Sequence, residues 1–128
     1  MARILVVDDE QAIRDLIVEI LAKQKKHEFV QACDGLEALQ VLRSGKKFDL
    51  VITDRNMPKM TGIQLLQIVR ADPKLKDLKV MVCTTGNMVD EVDEAFEAGA
   101  NDYVLKPLNI QKLTLKVEKA LGLPMGKT

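Results

Sequence analysis

The feature that most restricts this chain is an alternation: five short, β-rich apolar runs, each followed by a longer segment of helical period. Ile4-Leu5-Val6-Val7 is apolar at every position, as a strand covered on both faces must be. After it, Ile13, Leu16, Ile17, Ile20 and Leu21 recur at i, i+3, i+4, i+7 and i+8, which draws one apolar stripe along a helix. Phe29-Val30 predicts a weaker second strand, and Leu36, Leu39 and Leu42 a second helix after Asp34-Gly35. Leu50-Val51-Ile52-Thr53 predicts the third strand. Ile63, Leu66 and Val69 line its helix, which Asp72-Pro73 stops, since proline disfavours helix in the residue before it. Val80-Met81-Val82-Cys83 predicts a fourth buried strand, with Val89, Val92 and Phe96 in the helix after it and Gly99 as its left-handed cap. Tyr103-Val104-Leu105 predicts the fifth strand, and Ile110, Leu113, Val117 and Leu121 stripe a fifth helix.

Five such units in a row imply a parallel sheet with helices on both faces. The 128 residues, 47% of them apolar, suit one domain over 1–128 with residues 122–128 as a short frayed tail. Either doubly wound strand order places ligands at the carboxyl edge of the sheet, beside the switch point. Composition narrows the uses of that edge. The 19 acidic and 19 basic side chains balance, against a generic nucleic-acid binder with its basic excess. No apolar run approaches the roughly 18 residues of a membrane span, and the run after Arg3 is too short for a signal sequence, so a cytoplasmic protein is expected. Cys33 and Cys83, without a CxxC or a nearby His, are expected as buried free thiols, and His27 as a solvated side chain.

The chemistry turns on what stands just after each strand. Asp8, Asp9 and Glu10 follow the first, Asp54 and then Asn56 the third, Thr84 ends the fourth, and Lys106-Pro107 follows the fifth. A parallel sheet brings these ends to one edge, so carboxylates, a hydroxyl and an ammonium share a small site. Carboxylates gathered so closely are costly unless a cation neutralises them. An oxygen-only donor set favours a hard ion, Mg²⁺, over zinc or copper. Mg²⁺ held by one or two carboxylates completes its shell with water and phosphate oxygens, which leaves one aspartate free as a nucleophile toward phosphorus. Phosphoryl transfer asks for in-line placement and charge neutralisation more than for acid–base chemistry. Lys106 can supply the positive charge and Thr84 a hydroxyl donor.

Taken singly, each residue has a plainer use. Asp9 would cap the next helix, Asp54 would make a turn, Thr84 and Thr85 would end a strand, and Lys106 would lie on the surface. Tyr103 would be a half-buried strand aromatic. Their coincidence at matching strand ends carries the signal.

Val7-Asp8-Asp9-Glu10, Thr53-Asp54-Arg55-Asn56-Met57-Pro58, Gly62, Thr84 and Tyr103-Val104-Leu105-Lys106-Pro107 resemble the motif set of response-regulator receiver domains, the single-domain chemotaxis type in particular. The resemblance runs from residue 2 to about 121. It implies a flavodoxin-like α/β fold: a doubly wound, five-stranded parallel sheet in the order 2-1-3-4-5 with five helices. It implies a signalling phosphoprotein of a two-component system that catalyses only its own phosphorylation and dephosphorylation. Asp54 would be the phosphoacceptor. Asp9 and Asp54 would bind Mg²⁺ through their carboxylates, Asp8 through a coordinated water and Asn56 through its backbone carbonyl. Lys106 would contact the acyl phosphate, and its bond to Pro107 would be cis. Thr84 would move toward the phosphoryl group while Tyr103 rotates inward, changing the face of the fourth helix, fifth strand and fifth helix. The implied partners are a histidine kinase as phosphodonor and a downstream protein on that face, with no fused output domain and no direct contact to nucleic acid or membrane. The chain would be a monomer, or a dimer once phosphorylated.

Two positions depart from the family's pattern. Thr85 stands where a small Ala is usual, and Gly86 where the chemotaxis protein carries an acidic residue. Asn56 and the position of Gly86 tune hydrolysis of the acyl phosphate in the family, so the departures bear on its lifetime. Two other classes use parts of the pattern. A Mg²⁺-dependent phosphatase of the haloacid dehalogenase kind also has an Asp nucleophile, but its general acid is a second aspartate two residues on, where this chain has Asn56. A flavodoxin-like FMN carrier needs a hydroxyl-rich loop after the first strand, where Asp8-Asp9-Glu10 would repel the FMN phosphate.

Overall fold

Strands β1 (Arg3–Val7), β2 (Glu28–Ala32), β3 (Leu50–Asp54), β4 (Lys79–Thr84) and β5 (Asp102–Leu105) pair in parallel in the order β2-β1-β3-β4-β5. The computed structural model describes residues 2–24, 26–85 and 89–122. Gly86, the side chain of Val89 and residues 123–128 of the expected tail lie outside the described residues. Helices α1 (Gln11–Ala22), α2 (Gly35–Leu42), α3 (Gly62–Ala71), α4 (Val89–Glu97) and α5 (Ile110–Leu121) alternate with the strands. The expected 2-1-3-4-5 order is therefore the one found.

The central strands are apolar on both faces because both are covered. Ile4, Val6, Leu50, Ile52, Met81 and Cys83 pack with α1 and α5 through Ile17, Ile20, Leu113 and Val117. Their alternates Leu5, Val7, Val51, Val80 and Val82 pack with α2 and α3 through Ala38, Leu42, Leu65, Leu66 and Val69. Side chains of period two thus divide cleanly into two cores. Each fully buried Leu or Ile contributes about 1.5–3 kcal/mol, so the sheet interior dominates stability. Because β1 leads to β2 on one side and β3 lies on its other, the loops after β1 and β3 diverge, and the crevice between them opens at the carboxyl edge.

The helix ends follow their sequence signals. Gly99 has φ 106°, its N–H donates to Phe96 O at 3.0 Å, and the Ala100 N–H donates to Ala95 O at 2.9 Å. That pair of bonds closes α4 in the way expected of a positive-φ glycine. The Lys106–Pro107 bond is cis, as expected.

Three expectations need correction. Cys33 is exposed, at the start of the β2–α2 loop, and only Cys83 is buried. β2 is the weakest and outermost strand on its side, so its end leaves Cys33 in water. His27 is part-buried rather than simply solvated: its Nδ1 accepts the Ala2 N–H at 3.1 Å and its ring meets Phe29 edge-on. Leu16, Leu36, Phe96 and Ile110 belong to the apolar stripes yet are exposed. Leu16 and Leu36 stand at one edge of their stripes and Ile110 is the first residue of α5, whereas Phe96 lies within its stripe and meets Tyr103 edge-on instead of entering the core. No described helix is long and apolar enough to cross a membrane.

Candidate phosphoryl site

Three charged side chains from three strand ends meet at the carboxyl edge. Asp8 directly follows β1, Asp54 closes β3, and Lys106 directly follows β5. Lys106 Nζ lies 3.0 Å from Asp8 Oδ2 and 3.2 Å from Asp54 Oδ1. Asp8 is 1% exposed, Asp54 9%, and the Lys106 side chain 12%, so the contacts act in a medium less screening than water. The backbone makes the arrangement exact enough to matter. Glu10 N–H donates to Asp8 Oδ1 at 2.9 Å, Arg14 Nη1 donates to Asp8 O at 2.6 Å, and Lys106 N–H donates to Thr84 O at 2.9 Å.

Burial pushes the Asp54 carboxyl above its ordinary value; Lys106 pulls the other way, and the charge of Asp8 adds to the rise. Burial works against the charged form of Lys106, but its hydrogen bond to Asp8 and the charges of Asp54 and Asp8 prevail, and the ammonium is held above its usual value. The result is a lysine kept cationic beside a carboxylate made more basic than usual, a combination suited to attack on an anionic centre.

The β3–α3 loop is shaped by a close approach. Gly62 N–H donates to Arg55 O at 2.9 Å, and a Cβ on Gly62 would overlap the Asp54 carbonyl oxygen. Only glycine lets α3 start directly under the Asp54 backbone. α3 is then fixed by a reciprocal cap: Gln64 N–H donates to Thr61 Oγ1, and Thr61 N–H to Gln64 Oε1.

Carboxylate oxygens of Asp8, Asp9 and Glu10 lie within 4.8 Å of one another, Asp8 buried and the other two exposed. α1 starts after Glu10 without a side-chain cap, so Asp9 does not serve as the cap that its position would otherwise suggest. This hard, oxygen-only donor set fits Mg²⁺. Glu10, noted in the sequence only as a neighbour, is thus brought into the acidic group. Among the described residues Asp54 stands outside it, tied instead to Lys106.

The remaining candidates sit nearby with other partners. Asn56 is exposed, and its Oδ1 accepts from Arg55 Nη1 at 3.3 Å. Thr84 is buried, and its hydroxyl donates to Glu91 Oε1 at 3.2 Å. Tyr103 is half-buried between Phe96, edge-on at 5.9 Å between centroids, and Lys116, whose Nζ lies 4.2 Å from the ring centroid. Lys116 Nζ also donates to Asp102 Oδ1 and Tyr103 O. Cys83 faces the α1/α5 core, where burial pushes its thiol up to about 12 and leaves it unreactive. Arg55, Glu91 and Glu94, which link the site to α4, were not singled out by sequence reasoning. Arg55 was visible only as the neighbour of Asp54, and no spacing rule pairs it with residues on α4.

Fold and site together define a doubly wound α/β protein with an acidic, cation-ready edge closed by one lysine. The family model of the response regulator receiver domain matches residues 4–118. The chain is 45% identical to the chemotaxis protein CheY of Pseudomonas aeruginosa, over 91% of this chain and 94% of that one. It is 40% identical to the chemotaxis protein CheY-3 of Vibrio cholerae, over 91% and 89%. Among solved structures, the chemotaxis response regulator CheY4 of Vibrio cholerae superposes with a TM-score of 0.87 at 32% identity, over 94% of this chain and 99% of that one. A putative response regulator from Chloroflexus aurantiacus superposes with a TM-score of 0.89 at 31% identity, over 94% and 98%. The chain belongs to the response-regulator receiver domains, the phosphoacceptors of two-component signalling.

Proposed function

We propose that Asp54 is the phosphoacceptor, and that a histidine kinase supplies its phosphoryl group. The contact between Lys106 and Asp54 at 3.2 Å carries the reading, because it sets a permanent cation where phosphoryl oxygens would arrive. An Asp54 oxygen attacks phosphorus in line; the bond from phosphorus to the donor nitrogen breaks, and its electron pair leaves with the donor imidazole. Lys106, already shared between Asp8 and Asp54, turns to the new phosphoryl oxygens. Thr84 supplies a hydroxyl hydrogen bond to the product.

By the family's pattern, Asp9 and Asp54 would hold Mg²⁺ through carboxylates, Asn56 through its backbone carbonyl and Asp8 through a water, with Glu10 beside them. Mg²⁺, when bound, would neutralise the gathered carboxylates and screen the incoming charge. The protein would catalyse its own phosphorylation and dephosphorylation only. No observation favours the phosphatase alternative, since the general-acid position is Asn56.

The output face is α4, β5 and α5. Phe96, Leu105 and Ile110 are 44%, 41% and 58% exposed there, around Tyr103, and a downstream protein would dock on them. Inward rotation of Tyr103 would reshape that patch. The relatives' names point to chemotaxis as the pathway. The cytoplasm is the expected compartment, and one receiver domain over 1–128, monomeric or dimeric on phosphorylation, is the expected unit.

The test is intact-protein mass after incubation with acetyl phosphate. One added phosphoryl group that needs both Mg²⁺ and Asp54, being absent in Asp54→Asn, is expected. A folded wild type that neither gains mass nor binds beryllofluoride would sink the reading.

A further inference from the structure

Around Thr84 the structure holds a small junction of charge. The buried Thr84 hydroxyl donates to Glu91 Oε1 at 3.2 Å. The same oxygen lies 3.8 Å from Arg55 Nη1, and Arg55 Nη2 donates to Glu94, nearly a turn further along α4. Arg55 is the residue after Asp54, and its own N–H is fixed to Cys83 O at 2.8 Å. Its side chain is largely withdrawn from water, with Nε buried and without a hydrogen-bond partner. One acid on α4 therefore holds both the hydroxyl nearest the end of β4 and the cation next to the phosphoacceptor.

We propose that Glu91 is a positioning residue: it keeps the Thr84 hydroxyl and Arg55 turned to α4 while Asp54 is unmodified, and competes with the aspartyl phosphate for both. The proposal rests on Asp54 as phosphoacceptor and Thr84 as its hydroxyl donor. A threonine hydroxyl has one proton, so Thr84 can serve Glu91 or a phosphoryl oxygen but not both. A phosphoryl group with a charge of about −1.5 to −2 is the stronger acceptor, and it also attracts the guanidinium. When Thr84 turns, Glu91 loses a part-buried hydrogen bond and α4 loses a tether to β4. By linkage, whatever Glu91 contributes to the unmodified state it subtracts from the modified one. Glu91 thus sets how readily the site takes a phosphoryl group and, through α4, how strongly the output face responds.

The experiment compares Mg²⁺-dependent affinity for beryllofluoride in wild type, Glu91→Ala, Glu91→Gln, Thr84→Ala and Glu91→Ala/Thr84→Ala, with thermal melts as a check of folding. Glu91→Ala is expected to bind about fivefold more tightly or better, the lower end of a typical coupling between sites. A variant that was merely damaged would bind less tightly. Glu91→Gln, which keeps an acceptor but loses the charge, is expected to gain less, and it stands in if Glu91→Ala does not fold. In the Thr84→Ala background the gain should shrink, since the hydroxyl over which Glu91 competes is gone. Amide exchange across residues 89–97 in Mg²⁺-free protein should quicken in Glu91→Ala. Unchanged or weaker binding by folded Glu91→Ala, or an undiminished gain without Thr84, would overturn the proposal alone. Failure of the wild type to bind would overturn it together with the phosphoacceptor reading.

Discussion

Helices α3 and α4 each follow a strand that ends at the site, yet they are held in opposite ways. α3 starts with a reciprocal cap, presses Gly62 against the Asp54 carbonyl and buries Leu65, Leu66 and Val69. α4 buries Ala95 among its described side chains, exposes Phe96, and carries Asp90, Glu91, Asp93, Glu94 and Glu97. Among the described residues, its ties to the site include the Arg55 ion pairs and the Thr84 hydroxyl bond. Apolar burial contributes about 1.5–3 kcal/mol per residue, whereas an exposed ion pair contributes roughly 0.2–1 kcal/mol. Acids suit the start of α4, where the helix dipole is positive, but Glu97 lies at its unfavourable end. The difference teaches a division of labour: α3 is a wall that fixes Asp54, and α4 is an element that small electrostatic changes can move.

The sharpest way to break that contrast is Gly62→Ala. Its Cβ would meet backbone, not a side chain that can swing aside, so α3 must shift bodily. A loss of at least about 3 kcal/mol is expected by chemical denaturation, at the upper end of overpacking costs. A loss under about 1 kcal/mol would mean that α3 is no wall.

Lys106→Met comes next, measured in a chelator so that no divalent cation substitutes. It leaves Asp8 and Asp54 buried together without a counter-charge. A loss of about 2 kcal/mol at neutral pH is expected, below the 3–5 of a fully buried pair because the site opens to water. Part of it should return in acid as Asp54 protonates. Asp54→Asn should act in the opposite direction. The Asp54 carboxyl is raised in the folded protein, so its ionisation opposes folding, and stability falls as pH rises from the ordinary carboxylate range through the raised value. The neutral amide escapes that cost, and a gain of about 1 kcal/mol, roughly 4 °C, is expected at pH 7. Below the ordinary carboxylate range Asp54 is protonated both folded and unfolded, and the gain should vanish. A gain that persisted in acid would locate its cause outside this charge.

The wall was far easier to foresee than the moving part. β1, β3 and β4 are buried on both faces, so their unbroken apolar runs announce them, and the α3 stripe ends at a proline. Asp8, Asp54 and Lys106 were legible because a parallel sheet must bring its strand ends together, whatever lies between them. How deeply each stripe position is buried was less legible, since periodicity cannot say where the sheet ends; hence the exposure of Leu16, Leu36, Phe96 and Ile110. Cys33 was misjudged for the same reason. The Arg55–Glu91–Glu94 junction was not legible at all. Arg55 and Glu94 are 39 residues apart, and ion-pair partners in a charge-balanced chain follow from docked helices, not from spacing.

The smallest expected effect tests the moving part most directly. Glu94→Gln removes one partner of Arg55 from a side chain that is 49% exposed and leaves the Glu91 contact in place. An exposed pair is screened and its side chains lose entropy when held, so global stability should change by no more than about 0.5 kcal/mol. Local order should respond more than global stability does, because α4 has little buried surface to compensate. Amide exchange across residues 89–97 should quicken, while residues 62–71 of α3 remain as protected as in the wild type. High salt should bring the wild type toward the variant, since it screens the pair that the substitution deletes. If instead the loss matched that of Gly62→Ala, α4 would be as firmly built as α3, and no weak electrostatic competitor at Asp54 could move it.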